Sequence, residues 1–366
     1  MNDLRPPNRF ILYDYLQVAG GAERLTLTLA DAFPEFQLVV ARIYPEAGAL
    51  DIRMPAIRCL GSSVSRWVGR VPEALWRFRT TTRFLRHAEV VLYSGFYAPL
   101  AVRHQRAGRK IYYCHTPPRY AYDWAAGYRN AIPLPWRPVF DAGIRWFRRE
   151  YEQALAGMDA VIANSSNVQR RLKHYLGVEA QVIYPPIDVA RFRWLGAGDY
   201  FVSLARLTQP KRVEWIVRAF LRMPDQRLVV VSGGPELENL RRLAAGARNI
   251  HFTGWQSEAQ LREWIGNARA AIYLPMDEDF GMSPVEAMAA GKPVIGVAEG
   301  GLLETIVDGE TGILVPSTLT VPDIVQAVRR LERNPALAMR AACQERAQLF
   351  CRENFLERIR AVLEPA

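Results

Sequence analysis

The sequence predicts an α/β protein made of two Rossmann-like doubly wound domains, and three observations carry that prediction. Short apolar runs alternate with helical stretches along the whole chain. The runs are apolar throughout rather than at every second residue, the pattern of parallel strands buried on both faces. A proline pair, Pro185-Pro186, divides the alternation into two halves, and 366 residues suffice for about two domains.

In the first half the predicted strands are Phe10–Tyr13, Leu38–Ala41, Val90–Tyr93, Lys110–Tyr113 and Ala160–Ala163. In the second they are Tyr200–Leu204, Arg227–Val231, Ile250–Phe252, Ala270–Leu274 and Pro293–Gly296. Between the halves, Val182-Ile-Tyr-Pro-Pro-Ile-Asp188 reads as an extended linker, because adjacent prolines disfavour helix. Doubly wound sheets bind ligands outside the carboxyl ends of their strands, here expected in a cleft between the domains.

Composition narrows the class. Half of the residues are hydrophobic, enough for packed cores and incompatible with a disordered chain. Cys59, Cys114, Cys343 and Cys351 show no metal-ligand spacing, so a reduced, cytoplasmic setting is expected. No signal-like N-terminus and no membrane-spanning apolar run is present, so the protein is expected to be neither secreted nor integral. The net charge of +10 is concentrated: residues 62–149 hold 16 basic and 4 acidic residues. That density implies a polyanionic or membrane-surface partner. No nucleic-acid motif accompanies it, so nucleic acid is not expected.

The most informative stretch is Glu278-Asp-Phe-Gly-Met-Ser-Pro-Val-Glu286. Ser283-Pro284 reads as an N-cap with proline at the first helical position, which puts Glu286 in the first turn. The N–H groups of Gly281, Met282 and Ser283 would offer an anion or sugar site at the helix start. Glu286 can accept two hydrogen bonds from a vicinal diol, and Glu278 sits on the preceding loop. Asp277-Glu278-Asp279 has the D-x-D form of a metal site but reads as loop.

This stretch resembles the E-x7-E signature of retaining glycosyltransferases of family 4, which have the two-domain GT-B fold. The resemblance implies that Glu286 binds the nucleotide ribose, that Glu278 contacts the transferred sugar, and that Phe280 to Ser283 bind sugar hydroxyls and phosphate. It also implies a first domain over 1–187 and a donor-binding domain over 188–344. A final helix, about 337–364, would cross back to the first domain from about residue 345 onward to 366.

Other segments fall in family order. Leu204-Ala-Arg206-Leu-Thr-Gln-Pro-Lys211-Arg212 resembles the family loop whose Arg and Lys hold the diphosphate, with Ala205 and Arg212 where glycines are usual. Gly233-Gly234-Pro235 resembles the Gly-x-Gly-Pro turn, and Phe252-Thr-Gly254 the segment that reads the base. Gly20-Gly21-Ala22-Glu23 resembles the family's loop after the first strand, where glycine amides meet the donor phosphate or the acceptor. Tyr112-Tyr-Cys-His115-Thr-Pro-Pro-Arg119-Tyr-Ala-Tyr-Asp123 looks like the block of bacterial O-antigen and exopolysaccharide mannosyltransferases in which the His lies beside the transferred sugar. Arg119 would bind an acceptor diphosphate or pair with Asp123.

The resemblance therefore implies a metal-independent enzyme with no cofactor, using a nucleotide-sugar donor. Its catalytic residues would be His115, Glu278, Arg206 and Lys211. It would transfer a hexose, mannose from GDP-mannose, to a polyprenyl-diphosphate-linked saccharide in bacterial surface polysaccharide assembly. Two alternatives stay open: another nucleotide sugar such as GDP-rhamnose or a UDP-hexose, and a nucleotide-sugar 2-epimerase. Interleaved aromatics and arginines from Ser65 to Arg86 and from Pro135 to Arg149 suit helices in a membrane interface. The expected location is cytoplasmic, peripheral at the inner face of the cell membrane on anionic lipid.

Overall fold

The computed structural model describes residues 8–17, 20–44, 56–61 and 69–364. Val18, Ala19 and the stretch Ser65 to Val68 lie outside the described residues. The chain folds as two compact units, Met1–Tyr184 with Leu356–Ala366, and Pro185–Phe355.

The first unit is a seven-stranded parallel sheet of order β3-β2-β1-β4-β5-β6-β7. Its strands are β1 Arg9–Leu16, β2 Phe36–Ile43, β3 Ile57–Cys59, β4 Val90–Ser94, β5 Arg109–Cys114, β6 Ala160–Ala163 and β7 Gln181–Val182. Its helices are α1 Gly21–Ala32, α2 Arg70–Thr80, α3 Ala125–Ala131, α4 Arg137–Ala156 and α5 Ser166–Leu176. Strand β4 is buried along its whole length, as a central strand covered on both faces must be. The core is rich in tyrosine, and each hydroxyl needs a partner when buried. Tyr93 donates to Gln105 (2.8 Å), Tyr112 and Tyr151 share a 2.7 Å bond, and Tyr113 donates to the Ile183 carbonyl (2.9 Å).

The second unit is a six-stranded parallel sheet of order β10-β9-β8-β11-β12-β13. It comprises β8 Tyr200–Ser203, β9 Arg227–Val230, β10 Ile250–Phe252, β11 Ala270–Tyr273, β12 Val294–Val297 and β13 Gly312–Val315. Its helices are α6 Val213–Leu221, α7 Leu237–Leu243, α8 Glu258–Asn267, α9 Met282–Ala289, α10 Leu302–Thr305, α11 Val321–Arg330, α12 Arg333–Ala338 and α13 Arg340–Gln348. The last helix, α14 Arg352–Leu363, begins here and ends in the first unit. Capping boxes Ser257/Gln260 and Thr320/Asp323 start α8 and α11.

All ten predicted strands are present, so the two-sheet α/β prediction holds. The short strands β3, β7 and β13 were not predicted. The passage between units falls at Tyr184/Pro185, and Ile187 then bridges to Cys351 in parallel. The single terminal helix expected over about 337–364 is instead α12, α13 and α14 in succession. The interruption at Leu349 to Cys351 lets the Phe350 carbonyl accept from Ile187 N–H (2.8 Å). The chain re-enters the first unit at Leu356.

Each sheet has one switch point where the strand order reverses, between β1 and β4 and between β8 and β11. Ligand sites of doubly wound sheets form there.

Candidate active site

In the second unit, the loops after β8 and β11 flank the switch point and meet. Lys211 Nζ donates to Glu278 Oε2 (2.6 Å) and to the Tyr273 hydroxyl (2.9 Å). Burial by itself lowers the Lys211 pKa, but Tyr273 and Glu278 more than offset it, so the ammonium is held above its ordinary value. Two predicted residues are thus joined, through a tyrosine that sequence reasoning did not single out. Arg206 is exposed and makes no ion pair among the described residues.

Arg212 caps α6 from the left-handed region (φ 51°). That conformation favours glycine and explains why a glycine is usual at this position. Here Arg212 donates to Glu299 (2.9 Å), which also accepts the Asp277 N–H (2.9 Å). The Met276 N–H donates to the Pro210 carbonyl (2.7 Å). These three bonds lock the two loops together behind the Lys211–Glu278 pair.

The expected cap of the signature helix is corrected. Gly281, not Ser283, caps α9, from φ 91°, and Ser283 and Pro284 are the second and third helical residues. That left-handed φ favours glycine, and a Cβ there would also press on the end of the Leu302 side chain at 2.7 Å. Glu286 is therefore the fifth residue of α9, beyond the first turn, and only 4% exposed. Phe280 is buried with its ring on Phe350 (5.3 Å between centroids); its side chain belongs to the core, which leaves its backbone for the loop. Met282 and Ser283 are partly exposed.

Beneath this loop lie Gly300 and Gly301, which sequence reasoning missed. A Cβ at Gly300 (φ 59°) would stand 2.4 Å from the Glu278 carbonyl oxygen, and one at Gly301 2.4 Å from that of Asp279. The Gly301 N–H donates to the Glu278 carbonyl (2.7 Å). The adjacent pair Gly300-Gly301 was the available signal.

Gly233 and Gly234 approach other protein backbone. The Leu207 N–H donates to the Gly233 carbonyl (3.0 Å), and a Cβ at Gly234 would stand 2.4 Å from the Leu207 carbonyl oxygen. The turn thus braces the loop bearing Arg206. Trp255, after Gly254 (φ 71°), lies over Gly233. Among the described residues no cluster of three or more His, Cys, Asp or Glu side chains is placed to hold a metal.

In the first unit, Gly20 caps α1 and Gly21 is its first residue. A Cβ at Gly20 would meet the Glu23 carboxylate at 2.5 Å, so glycine makes room for that side chain. His115 follows β5, and its Nε2 lies 2.8 Å from Ser94 Oγ at the end of β4. Burial pushes the imidazole down to about 4, so it is neutral at physiological pH. Asp14 accepts from the N–H groups of Phe96 (2.6 Å), Tyr97 (2.8 Å) and Ala98 (2.8 Å), fixing the loop that follows Ser94.

Arg119 pairs with Asp123 at 3.5 Å and lies over the Trp124 ring, but Arg171 holds Asp123 more closely (2.7 Å) and also reaches Thr116 (2.9 Å). Pairing with Asp123, one of the two roles open for Arg119, is present in the structure. Arg171 on α5 was not predicted; no local motif marks it.

The basic, aromatic segment divides in two. On α2, Phe78 is core, Arg77 pairs with Glu73 (2.8 Å) and Arg79 with Glu150 (3.1 Å). These two arginines of α2 serve the fold. The turn between α3 and α4 and the start of α4 differ: Leu134 is 73%, Trp136 64% and Val139 63% exposed, and Arg145 and Arg149 are exposed further along α4. No helix among the described residues is long and apolar enough to cross a membrane.

Comparison with known proteins identifies the class that this fold and these loops define. Residues 19–191 match the family model of glycosyltransferase family 4, and residues 191–350 that of glycosyl transferases group 1. The chain belongs to the family 4 glycosyltransferases, with the GT-B fold. It is similar to the alpha-1,3/1,6-mannosyltransferase ALG2 of Mus musculus, 25% identical over 352 residues and 81% of each chain. It is also similar to a GDP-mannose-dependent alpha-(1-6)-phosphatidylinositol monomannoside mannosyltransferase of Mycobacterium tuberculosis, 33% identical over 222 residues, 52% of this chain and 57% of that one. The chain spans about half the length of several curated relatives that it matches. Among solved structures, Anabaena Alr3699/HepE in complex with UDP and glucose shares the fold at a TM-score of 0.77 and 16% identity, covering 98% of this chain and 100% of that one.

Proposed function

We propose that this protein is a retaining hexosyltransferase that moves mannose from GDP-mannose to a lipid-linked saccharide during bacterial surface polysaccharide assembly. The observation that carries the reading is the Lys211–Glu278–Tyr273 cluster at the β8/β11 switch point, with Glu286 in the following helix. Lys211 and Arg206 stabilise the diphosphate as the sugar–phosphate bond breaks. Glu286 accepts from the ribose diol, and Glu278, oriented by Lys211, contacts the sugar. Mannose is supported by the names of the two relatives above, and the bacterial polysaccharide setting by the His115 block.

Thermal-shift titration with GDP, UDP and their sugars tests the donor. A ligand selective for the folded state at about 100 times its Kd raises stability by about 2.7 kcal/mol. GDP and GDP-mannose are expected to give the largest shifts. Glu286→Ala is expected to weaken nucleotide binding by about 1–3 kcal/mol, because buried hydroxyls lose their acceptor. Undiminished binding would remove Glu286 from the site.

Transfer on this reading needs no divalent metal, because side-chain cations supply the positive charge. Activity is expected to persist in EDTA; loss restored by Mn²⁺ would reassign Asp277 and Asp279 as ligands.

The exposed Leu134, Trp136 and Val139, with Arg145 and Arg149 further along α4, support docking on an anionic bilayer at the inner face of the membrane, where a polyprenyl-diphosphate acceptor resides. Interfacial aromatics supply burial, and each basic residue near the surface adds about 1 kcal/mol. Liposome flotation should require anionic lipid, weaken with salt, and fall when Leu134 and Trp136 are changed to Glu. Equal recovery with neutral vesicles would remove the membrane from the reading.

A further inference from the structure

Three side chains stand in one row across the first sheet. Ser94 is the register partner of Tyr113 across β4 and β5. Tyr13 follows Leu12, the partner of Tyr93, by one residue, so it stands beside Ser94 on the other side. Neighbours in register point to the same face of a sheet, and residues two apart along a strand share that face. The row therefore reads Tyr13, Ser94, Tyr113, with His115 two residues beyond Tyr113.

The small serine between two tyrosines makes a notch, and the imidazole occupies it. The His115 ring lies edge-on to Tyr13 (6.2 Å, 82°) and tilted against Tyr113 (5.2 Å, 56°), with its Nε2 at 2.8 Å from Ser94 Oγ. Ser94 is fully buried, and His115 is the one partner of its hydroxyl among the described residues. A buried hydroxyl must place its proton on an acceptor. Nε2 is the acceptor within reach (2.8 Å), and a bond donated to it requires the ring proton on Nδ1.

We propose that Ser94 is a positioning residue: by donating to Nε2 it holds His115 as the Nδ1–H tautomer and leaves that N–H as a fixed donor to a hydroxyl of the bound sugar. The role toward sugar rests on the reading of the protein as a glycosyltransferase. Burial, which lowers the imidazole pKa to about 4, keeps the ring neutral and so leaves one nitrogen free to accept. The loop after Ser94 is pinned by its three N–H bonds to Asp14, so the notch is preformed.

Histidine-labelled protein and long-range ¹H–¹⁵N spectra read the tautomer directly, with the resonance assigned by its loss in His115→Gln. The wild type is expected to show Nδ1–H. Ser94→Ala keeps the notch, removes the donor, and is expected to shift His115 toward Nε2–H. It should also lower kcat/KM by about tenfold, the order that one lost hydrogen bond carries. Added to His115→Ala, it should cost little more, because the two act as a unit. An Nε2–H wild type, an unchanged spectrum in Ser94→Ala, or full additivity with His115→Ala overturns the positioning role and leaves the glycosyltransferase reading standing. A wild-type chain that transfers no sugar from any nucleotide sugar overturns both.

Discussion

Turnover by a chain carrying alanine at both Arg206 and Lys211 is expected to fall by about 100-fold or more, the loss seen when donors to developing negative charge are removed. Lys211→Ala alone should account for most of it. It removes a cation from the switch point and also frees Glu278, whose carboxylate lies 2.6 Å from Lys211 Nζ. Lys211→Arg should recover part of the loss, because charge is restored but the compact ammonium geometry toward Tyr273 is not. The pair is partly exposed, at 26% and 20% of its side chains, so melting temperature should change little. Initial rates at saturating donor, with a melting curve for each variant, check this. Wild-type turnover in the double variant would remove these loops from catalysis.

Gly300→Ala and Gly301→Ala are expected to damage both stability and turnover without touching any ligand. The added methyl would meet backbone atoms of Glu278 or Asp279 at 2.4 Å, and backbone cannot swing aside as a flexible side chain can. At Gly300 the left-handed conformation adds about 1–2 kcal/mol for any residue with a Cβ. The Glu278 loop must then shift, and about 1 Å of misplacement at a reacting centre costs on the order of 100-fold. Gly309→Ala is the control. Its φ is 80°, but nothing lies within 4 Å of the added Cβ. It should lose stability from strain and keep turnover. Rates and melting curves measured together distinguish the cases; a Gly301→Ala enzyme with wild-type kcat would show that the loop position is immaterial.

The strands were legible in the sequence because parallel strands buried on both faces leave uninterrupted apolar runs. Val90 to Tyr93 and Ala160 to Ala163 are such runs and lie within β4 and β6. The chemistry-bearing loops were picked out by resemblance, and the structure joins Lys211 of one to Glu278 of another. What escaped depends on contacts distant in sequence or on backbone sign. Ser283-Pro284 carries the local signals of a helix start, yet Gly281 caps the helix from a left-handed φ of 91°, which favours glycine. Arg212 in the left-handed region contradicts local propensity and is held by Glu299, far along the chain. Arg171 reaches Asp123 only once α5 has packed, and Ser94 becomes meaningful only in register with Tyr13 and Tyr113. The amphipathic arginines of α2 looked like those near α4 because periodicity does not reveal which cations have internal partners.

The return of the chain to the first unit has a consequence for biosynthesis. Arg9, on β1, pairs with Glu364 (2.8 Å), Arg109 donates to the Val362 carbonyl (2.8 Å), and the Arg360 guanidinium lies over Phe33. None of these bonds can form until residues 360–364 have left the ribosome. At about 5–20 residues per second, the whole of Pro185–Phe355 is synthesised first, so the first unit waits on the order of 10–30 s in an unclosed state. The second unit has a late closure of its own, because the Ile187 N–H waits for the Phe350 carbonyl (2.8 Å). A released chain that ends at residue 355 lacks Arg360, Val362 and Glu364, and limited proteolysis is therefore expected to find a resistant second unit and a susceptible first one.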